Sequence, residues 1–443
     1  VNLADFIVSA APPDAARGAA ARAVLDTVGV ALAGSVEPAA RIVQRVVADE
    51  GTGPFTVFGC SAGASAPNAA LANGTAAHAL DFDDMCFVSL AHPSAPLVAA
   101  AFAAAEHAGA SGRSLLDAYV VGFEIESRLG RALNPRHYQR GWHCTSTIGT
   151  LGAAATAARL LGLDREAAGH ALAIAASEAC GLKENFGTMV KPLHAGLAAR
   201  NGVLAARLAA AGMTASRAAL AGPQGYLAAM DAEWPTLEAF VVNLGVCWEI
   251  VDAGITVKLY PSCAGTHPTL DAILDLKRRD GFGADEVASI AVGVDKITPT
   301  VLIHDRPASG LEAKFSMPFC VAAAVVHGHV GVDTFDAPSL TDPRIAAVQS
   351  RVLMEVDPTL DPLSPALTQA RVRVRLTDGR ELVASANGAR GYPEHPATED
   401  ELEGKFLACA GRVLSGAGAA RALAAVRGIE GVAHVRAITA VLR

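Results

Sequence analysis

Four segments of the chain hold residue types that can move protons or bind anions. In the first, His78-Ala79-Leu80-Asp81-Phe82-Asp83-Asp84 is followed by Ala91-His92-Pro93 in otherwise apolar sequence. An unpaired carboxylate costs several kcal/mol to bury, so these acids must face solvent, a cation or a polar cleft. Exposed acids at a helix end and a metal site both answer that demand, but the spacing matches no recognised ligand pattern. In the second, His143 precedes Cys144-Thr145-Ser146-Thr147 and a long Ala-rich run. That is where helix N-terminal amides gather. An imidazole there either caps the helix or exchanges protons near pH 7.

The third segment runs from Lys183 to Gly196 through Lys191-Pro192-Leu193-His194. Proline suits the first turn of a helix because its missing N–H would be unpaired there. Lys191 therefore falls at or beside the N-cap, where free amides, the positive dipole end and an ammonium converge on one point and can hold a carboxylate. The fourth, Lys258-Leu259-Tyr260-Pro261-Ser262-Cys263-Ala264-Gly265-Thr266-His267, combines a lysine, a thiol and an imidazole. Cys263 has no base at a recognised spacing, so covalent catalysis is not the leading use of it. No P-loop, GxGxxG, HExxH or GxSxG is present. Acid–base groups and positive charge without a cofactor signature suit proton transfer next to a carboxylate, with neither cofactor nor metal.

The elements that must position these residues are mostly helical. From Leu3 to about Gly245, Ala-rich segments recur with i, i+3, i+4 apolar spacing, broken by Gly, Pro and Asn. Leu115, Leu116, Tyr119, Val120 and Phe123 form one such stripe. After Val257 the pattern changes. Val287–Val294 reads as a strand, and Arg371–Leu376 alternates strictly before the Asp378-Gly379 turn and Glu381-Leu382-Val383. A helical run is expected from Lys314 to Val326. The expected fold is mainly α: a large all-helical domain over 1–256, to which 398–443 returns, and a smaller α+β domain over 257–397.

The 443 residues are 51% hydrophobic, 18% charged and 5% aromatic, which excludes disorder. The richest apolar stretch, Ala95 to Ala105, is shorter than the ~20 residues a membrane span takes. The mean hydropathy of +0.32 thus reports close-packed helices and no membrane partner. A net charge of −8 without a basic run argues against nucleic-acid binding. Eight scattered cysteines without a CxxC pair read as buried free thiols in a reducing compartment. Val1-Asn2-Leu3-Ala4-Asp5 lacks the features of a signal peptide, and a cytoplasmic location is expected.

Taken together, the segments resemble the MmgE/PrpD family of cofactor-independent enzymes acting on small di- and tricarboxylates. The resemblance begins at Leu25–Gly34. It continues through Asn73-Gly74 to Asp84, His92-Pro93, His143, Lys191–Gly196 and Tyr260–His267, and ends near Lys405-Phe406. It implies a helical domain plus a smaller α+β domain, a homodimer, and active-site roles for Asp81, His92, His143, Lys191 and Lys258. Met85, Cys263 and His267 join Lys258 as substrate-binding candidates. Within the family, Gly141–Thr147, Asn185–Met189 and Pro261-Ser262-Cys263 look most like the iminodisuccinate epimerase branch.

Departures from the pattern guide the choice of reaction. The family's decarboxylases carry a His where this chain has Cys263 and a Thr where it has Met85. A tyrosine expected ahead of Arg306-Pro307 is absent, Ile303 being nearest. The resemblance therefore implies a dehydratase of the 2-methylcitrate kind or an epimerase, ahead of a cis-aconitate-type decarboxylase. In this reading Lys191 and Lys258 neutralise substrate carboxylates, and His143 is the principal base or acid at the carbon alpha to one of them. Asp81 and His92 orient or relay its proton. Two other classes stand beside it. One is a metal-dependent helical enzyme of prenyl-phosphate type with Mg²⁺ at Asp81/Asp83/Asp84, which the low aromatic content disfavours. The other is a silent carboxylate-binding protein.

Overall fold

Alanine is the commonest residue in the core of the first of two compact units, which comprises Val1–Thr256 and Glu399–Arg443. The structure, a computed structural model, describes residues 2–232, 241–364 and 367–443. A buried methyl group stabilises by only about 0.8 kcal/mol, so such a core depends on many contacts and on helices that approach closely. The Val190–Ala210 helix packs against both Ala66–His78 and Cys144–Leu160. A Cβ placed on Gly74 would stand 2.9 Å from the Cα of Gly196, and one on Gly202 would stand 2.6 Å from the Ala153 carbonyl carbon. Missing side chains thus set the spacing of the three helices.

Around them lie Asp14–Gly34, Ser94–Ala108 and Gly112–Leu133. The stripe from Leu115 to Phe123 is fully buried on the last of these. The Ala95–Ala105 run lies in a 15-residue helix that ends at Gly109 (φ 63°). Among the described residues, no single helix is long and apolar enough to cross a membrane. The Glu399–Ala410 helix packs on Asp14–Gly34, and there too a glycine permits the approach: a Cβ on Gly29 would meet Phe406 Cδ2 at 2.9 Å.

The second unit, Val257–Thr398, holds a four-stranded sheet of order β2-β1-β3-β4. Its strands are β1 Val287–Val294, β2 Val352–Val356, β3 Gln369–Leu376 and β4 Glu381–Asn387. β1 runs parallel to β2 and antiparallel to β3, and β3 to β4 is a hairpin whose turn has Gly379 at φ 91°. In β3, Val372, Val374 and Leu376 are buried while Arg371, Arg373 and Arg375 face solvent, as the alternation requires. The helical run expected from Lys314 starts at Met317 instead. Ser316 accepts the Phe319 N–H as N-cap, and Pro318 takes the first turn.

The cysteines correct one expectation. All eight are free, but Cys180 and Cys247 are exposed, and Cys60 and Cys263 are partly so.

Candidate active site

Helix ends in the first unit gather the titratable side chains. His78 is the last residue of Ala66–His78, and His92 lies two residues before Ser94–Ala108. His143 is the N-cap of Cys144–Leu160, and Lys191 and His194 lie in the first turns of Val190–Ala210. The positive N-terminal ends of three helices and the negative C-terminal end of a fourth therefore meet in this group, and the excess of positive ends favours negative charge there. Short pairings hold the loops. The His143 N–H donates to the Gly181 carbonyl at 3.0 Å and the Lys183 N–H to Gly141 at 2.8 Å. The His92 N–H donates to Thr145 Oγ1 at 3.0 Å.

All of these side chains are buried. The Lys191 ammonium pairs with Asp81 and meets His78 Nε2 at 2.9 Å. The other nitrogen of that ring, Nδ1, lies 2.8 Å from Asp83 Oδ2. Because an ammonium can only donate, His78 Nε2 accepts and Nδ1 carries the proton given to Asp83. His92 faces both acids, with Nδ1 3.4 Å from Asp83 and Nε2 3.9 Å from Asp81. The His143 ring stacks on His78 at 5.7 Å and meets the edge of Phe186 at 4.9 Å. Its Nδ1 is 3.0 Å from His194 Nδ1.

Burial sets the charges. It pushes His78 down to about 3, against Asp83 and with help from Lys191. Burial and then Lys191 hold His143 well below 6.5 and bring His194 down to about 4. These three imidazoles are neutral at pH 7. Burial opposes the charge on Asp83, but His78 and His92 outweigh it and keep its carboxyl well below the ordinary value. The cluster can thus stabilise an anion through Lys191 and exchange protons through neutral imidazoles.

Asp81, His92, His143 and Lys191 come together as one group. Asp84 does not join them. Its carboxyl accepts the Ser94 N–H at 3.2 Å and meets the Ser94 hydroxyl, which lies 2.5 Å from that of Tyr119. Burial raises Asp84 to about 8, against the Ser94 hydrogen bond, so it is largely neutral at pH 7. The Asp81/Asp83/Asp84 cation site is therefore not formed. A different quartet, His78, Asp81, Asp83 and His92, brings one ligand atom each within 4.8 Å of the others. Lys191 is the cation set against that quartet.

Met85 follows the acids directly, half-buried, and exchanges backbone hydrogen bonds with Thr256 at 2.9 and 2.8 Å. The remaining candidates belong to the second unit. Lys258 and His267 are fully buried there. His267 opens the His267–Asp280 helix, with Nε2 3.2 Å from the Ser262 carbonyl and its ring edge-on to Tyr260. The N–H of partly exposed Cys263 donates to the Lys314 carbonyl at 3.0 Å, and Lys314 Nζ donates to that of Pro261 at 2.8 Å.

Three residues of the cluster have no proton-transfer role in the sequence reading: His78 and His194 are given none, and Asp83 only that of a metal ligand in the Asp81/Asp83/Asp84 alternative. His194 carried a usable signal: it follows Lys191 by three positions, which places both on one helix face. His78 and Asp83 carried none, because their roles come from what they touch.

The MmgE/PrpD N-terminal domain matches residues 1–236 and the MmgE/PrpD C-terminal domain residues 260–430. Cis-aconitate decarboxylase of Homo sapiens is 29% identical over 387 residues, covering 85% of this chain and 79% of that protein. Its namesake from Aspergillus terreus is 27% identical over 414 residues, 88% of this chain and 84% of the relative. A cis-aconitate decarboxylase-like protein of Aspergillus oryzae is 27% identical over 469 residues, 100% of this chain and 96% of the relative.

Proposed function

The chain belongs to the MmgE/PrpD family, and from that premise we propose that it is a cofactor-independent lyase acting on a small unsaturated tricarboxylate of the cis-aconitate kind. Similarity to relatives named for that decarboxylation, over more than four-fifths of the chain, supports the choice of reaction. The observation that carries the chemistry is the buried group in which Lys191, paired with Asp81, lies beside three neutral imidazoles.

In the proposed reaction the bond from carbon to one carboxylate breaks and carbon dioxide leaves. The electron pair stays on the substrate and takes a proton there. Lys191 stabilises the negative charge that develops. His143 transfers the proton at carbon, held by His194, with Asp81 and His92 as relay. Met85, Lys258, Cys263 and His267 are proposed to bind substrate, and each substitution should then raise KM. A homodimer in the cytoplasm is part of the same proposal, and sedimentation measures the dimer.

Proton NMR in D₂O with citrate-, malate-, aconitate- and aspartate-like acids tests the reading. A product one carboxylate poorer, carrying one deuterium, is expected from cis-aconitate. Dehydration or epimerisation is the second reading. It is favoured by Met85 and Cys263 standing where the family's decarboxylases carry Thr and His. Loss of a hydroxyl, or deuterium wash-in with no carbon lost, would select it.

A further inference from the structure

Far along the chain, Lys405 on the Glu399–Ala410 helix reaches back to the loop that carries the acids. We propose that Lys405 is a positioning residue of the active site: anchored on Asp26, it grips the Phe82 carbonyl and so fixes the directions of Asp81 and Asp83. This deepens the reading of the cluster around Lys191 as the active site and rests on it.

Lys405 Nζ lies 2.6 Å from Asp26 Oδ1, donates to the Phe82 carbonyl at 2.8 Å, and sits 4.0 Å from the centre of the Phe82 ring. Both partners of the ion pair are buried. The close packing of Gly29 against Phe406 brings the two helices near enough for this reach. Phe82 is the residue between the two working acids. The 82–83 peptide plane is held by its carbonyl, so it sets where Asp83 points toward His78.

On the other side, Asp81 has φ 52°, in the left-handed region. An L-residue there costs on the order of 1 kcal/mol or more, so an unanchored loop would relax away from it. His78 holds the Asp83 side chain and Ser94 the Asp84 side chain. Lys405 holds the backbone between Asp81 and Asp83. A shift of about 1 Å in a reacting constellation can lower turnover about a hundredfold.

The test uses the full chain. Lys405→Met alone strands a buried carboxylate and can fail to fold. The double variant Asp26→Asn/Lys405→Met removes both charges together and still lacks the carbonyl anchor. It should melt close to wild type, while kcat falls at least tenfold and KM stays within threefold. The ¹⁵N-labelled imidazole signal of His78, assigned against His78→Gln, should move as its bond to Asp83 loosens. An unmoved His78 signal, or full kcat, overturns the proposal. Wild-type protein inert toward every acid in the panel would remove the proposed reaction instead, and the His78 signal would still decide the role of Lys405.

Discussion

His143 and His194 meet through their Nδ1 atoms, 3.0 Å apart, so one ring must donate and the other accept. If His194 is the acceptor, the Nε2 of His143 is left with a free lone pair, the form a base needs. If His194 donates, His143 Nε2 carries a proton and can act as acid. Either way the partner ring chooses the tautomer. Ser146 Oγ steadies the arrangement by donating to the His194 carbonyl at 3.2 Å.

Replacing His194 by Phe keeps a ring and removes that choice. Turnover should fall roughly a hundredfold, the low end of what general acid–base catalysis contributes. Circular dichroism should show the helical content intact. Steady-state rates on the substrate that NMR identifies make the comparison.

Lys191→Met should abolish turnover and also destabilise the protein, because Asp81 is left buried beside no ammonium. Breaking a buried pair in this way costs about 3–5 kcal/mol. Adding Asp81→Asn should restore most of the stability and none of the activity. Urea unfolding of the single and double variants separates the two losses.

Acid should weaken the fold through its neutral histidines. Burial holds His78 at about 3, and His137 and His194 at about 4, below the ordinary 6.5. As pH falls from 6.5 toward 4 the unfolded chain takes protons that the folded one refuses, so stability drops with pH. His137 lies outside the catalytic group, bonded to Thr147 Oγ1 at 2.8 Å and near the Met230 carbonyl at 3.1 Å. His137→Phe should be less stable than wild type at pH 7, and the gap should narrow toward pH 4. A gap constant with pH in urea unfolding would refute this.

Asp84 acts with the opposite sign. Its folded value of about 8 lies above the ordinary 3.8, so the folded state holds an extra proton between those values and loses that advantage as pH rises. Asp84→Asn mimics the neutral acid. Its stability relative to wild type should rise from pH 4 to pH 8 and level off above. Thermal melts at pH 5, 7 and 9 check the trend.

A chelator should leave turnover unchanged. The cation beside His78 and Asp81 is the Lys191 ammonium, and Asp84 is bound to Ser94. Activity lost in EDTA and restored by Mg²⁺ would revive the metal-dependent alternative.

Local signals made part of this legible beforehand. Strict alternation marked β3, and the Ser/Thr-rich start after His143 marked a helix terminus, because both depend on neighbours in sequence. β2 gave no such sign: its parallel pairing with β1 joins Val352 to Ile290, far apart along the chain. Spacing alone also put Asp84 with Asp81 and Asp83, since one-dimensional order cannot show that the carboxyl turns to Ser94. Lys405 stood out only as the end of a family resemblance. Its meaning needs the helix on which it returns.

That return has a consequence for how the protein is made. The Phe82 carbonyl and the ammonium that holds it are separated by 323 positions. A ribosome would have to release the chain through Lys405 before that bond could form. Until then the acidic loop would lack its anchor on the Phe82 carbonyl, and translation stalled ahead of Lys405 would leave it without one.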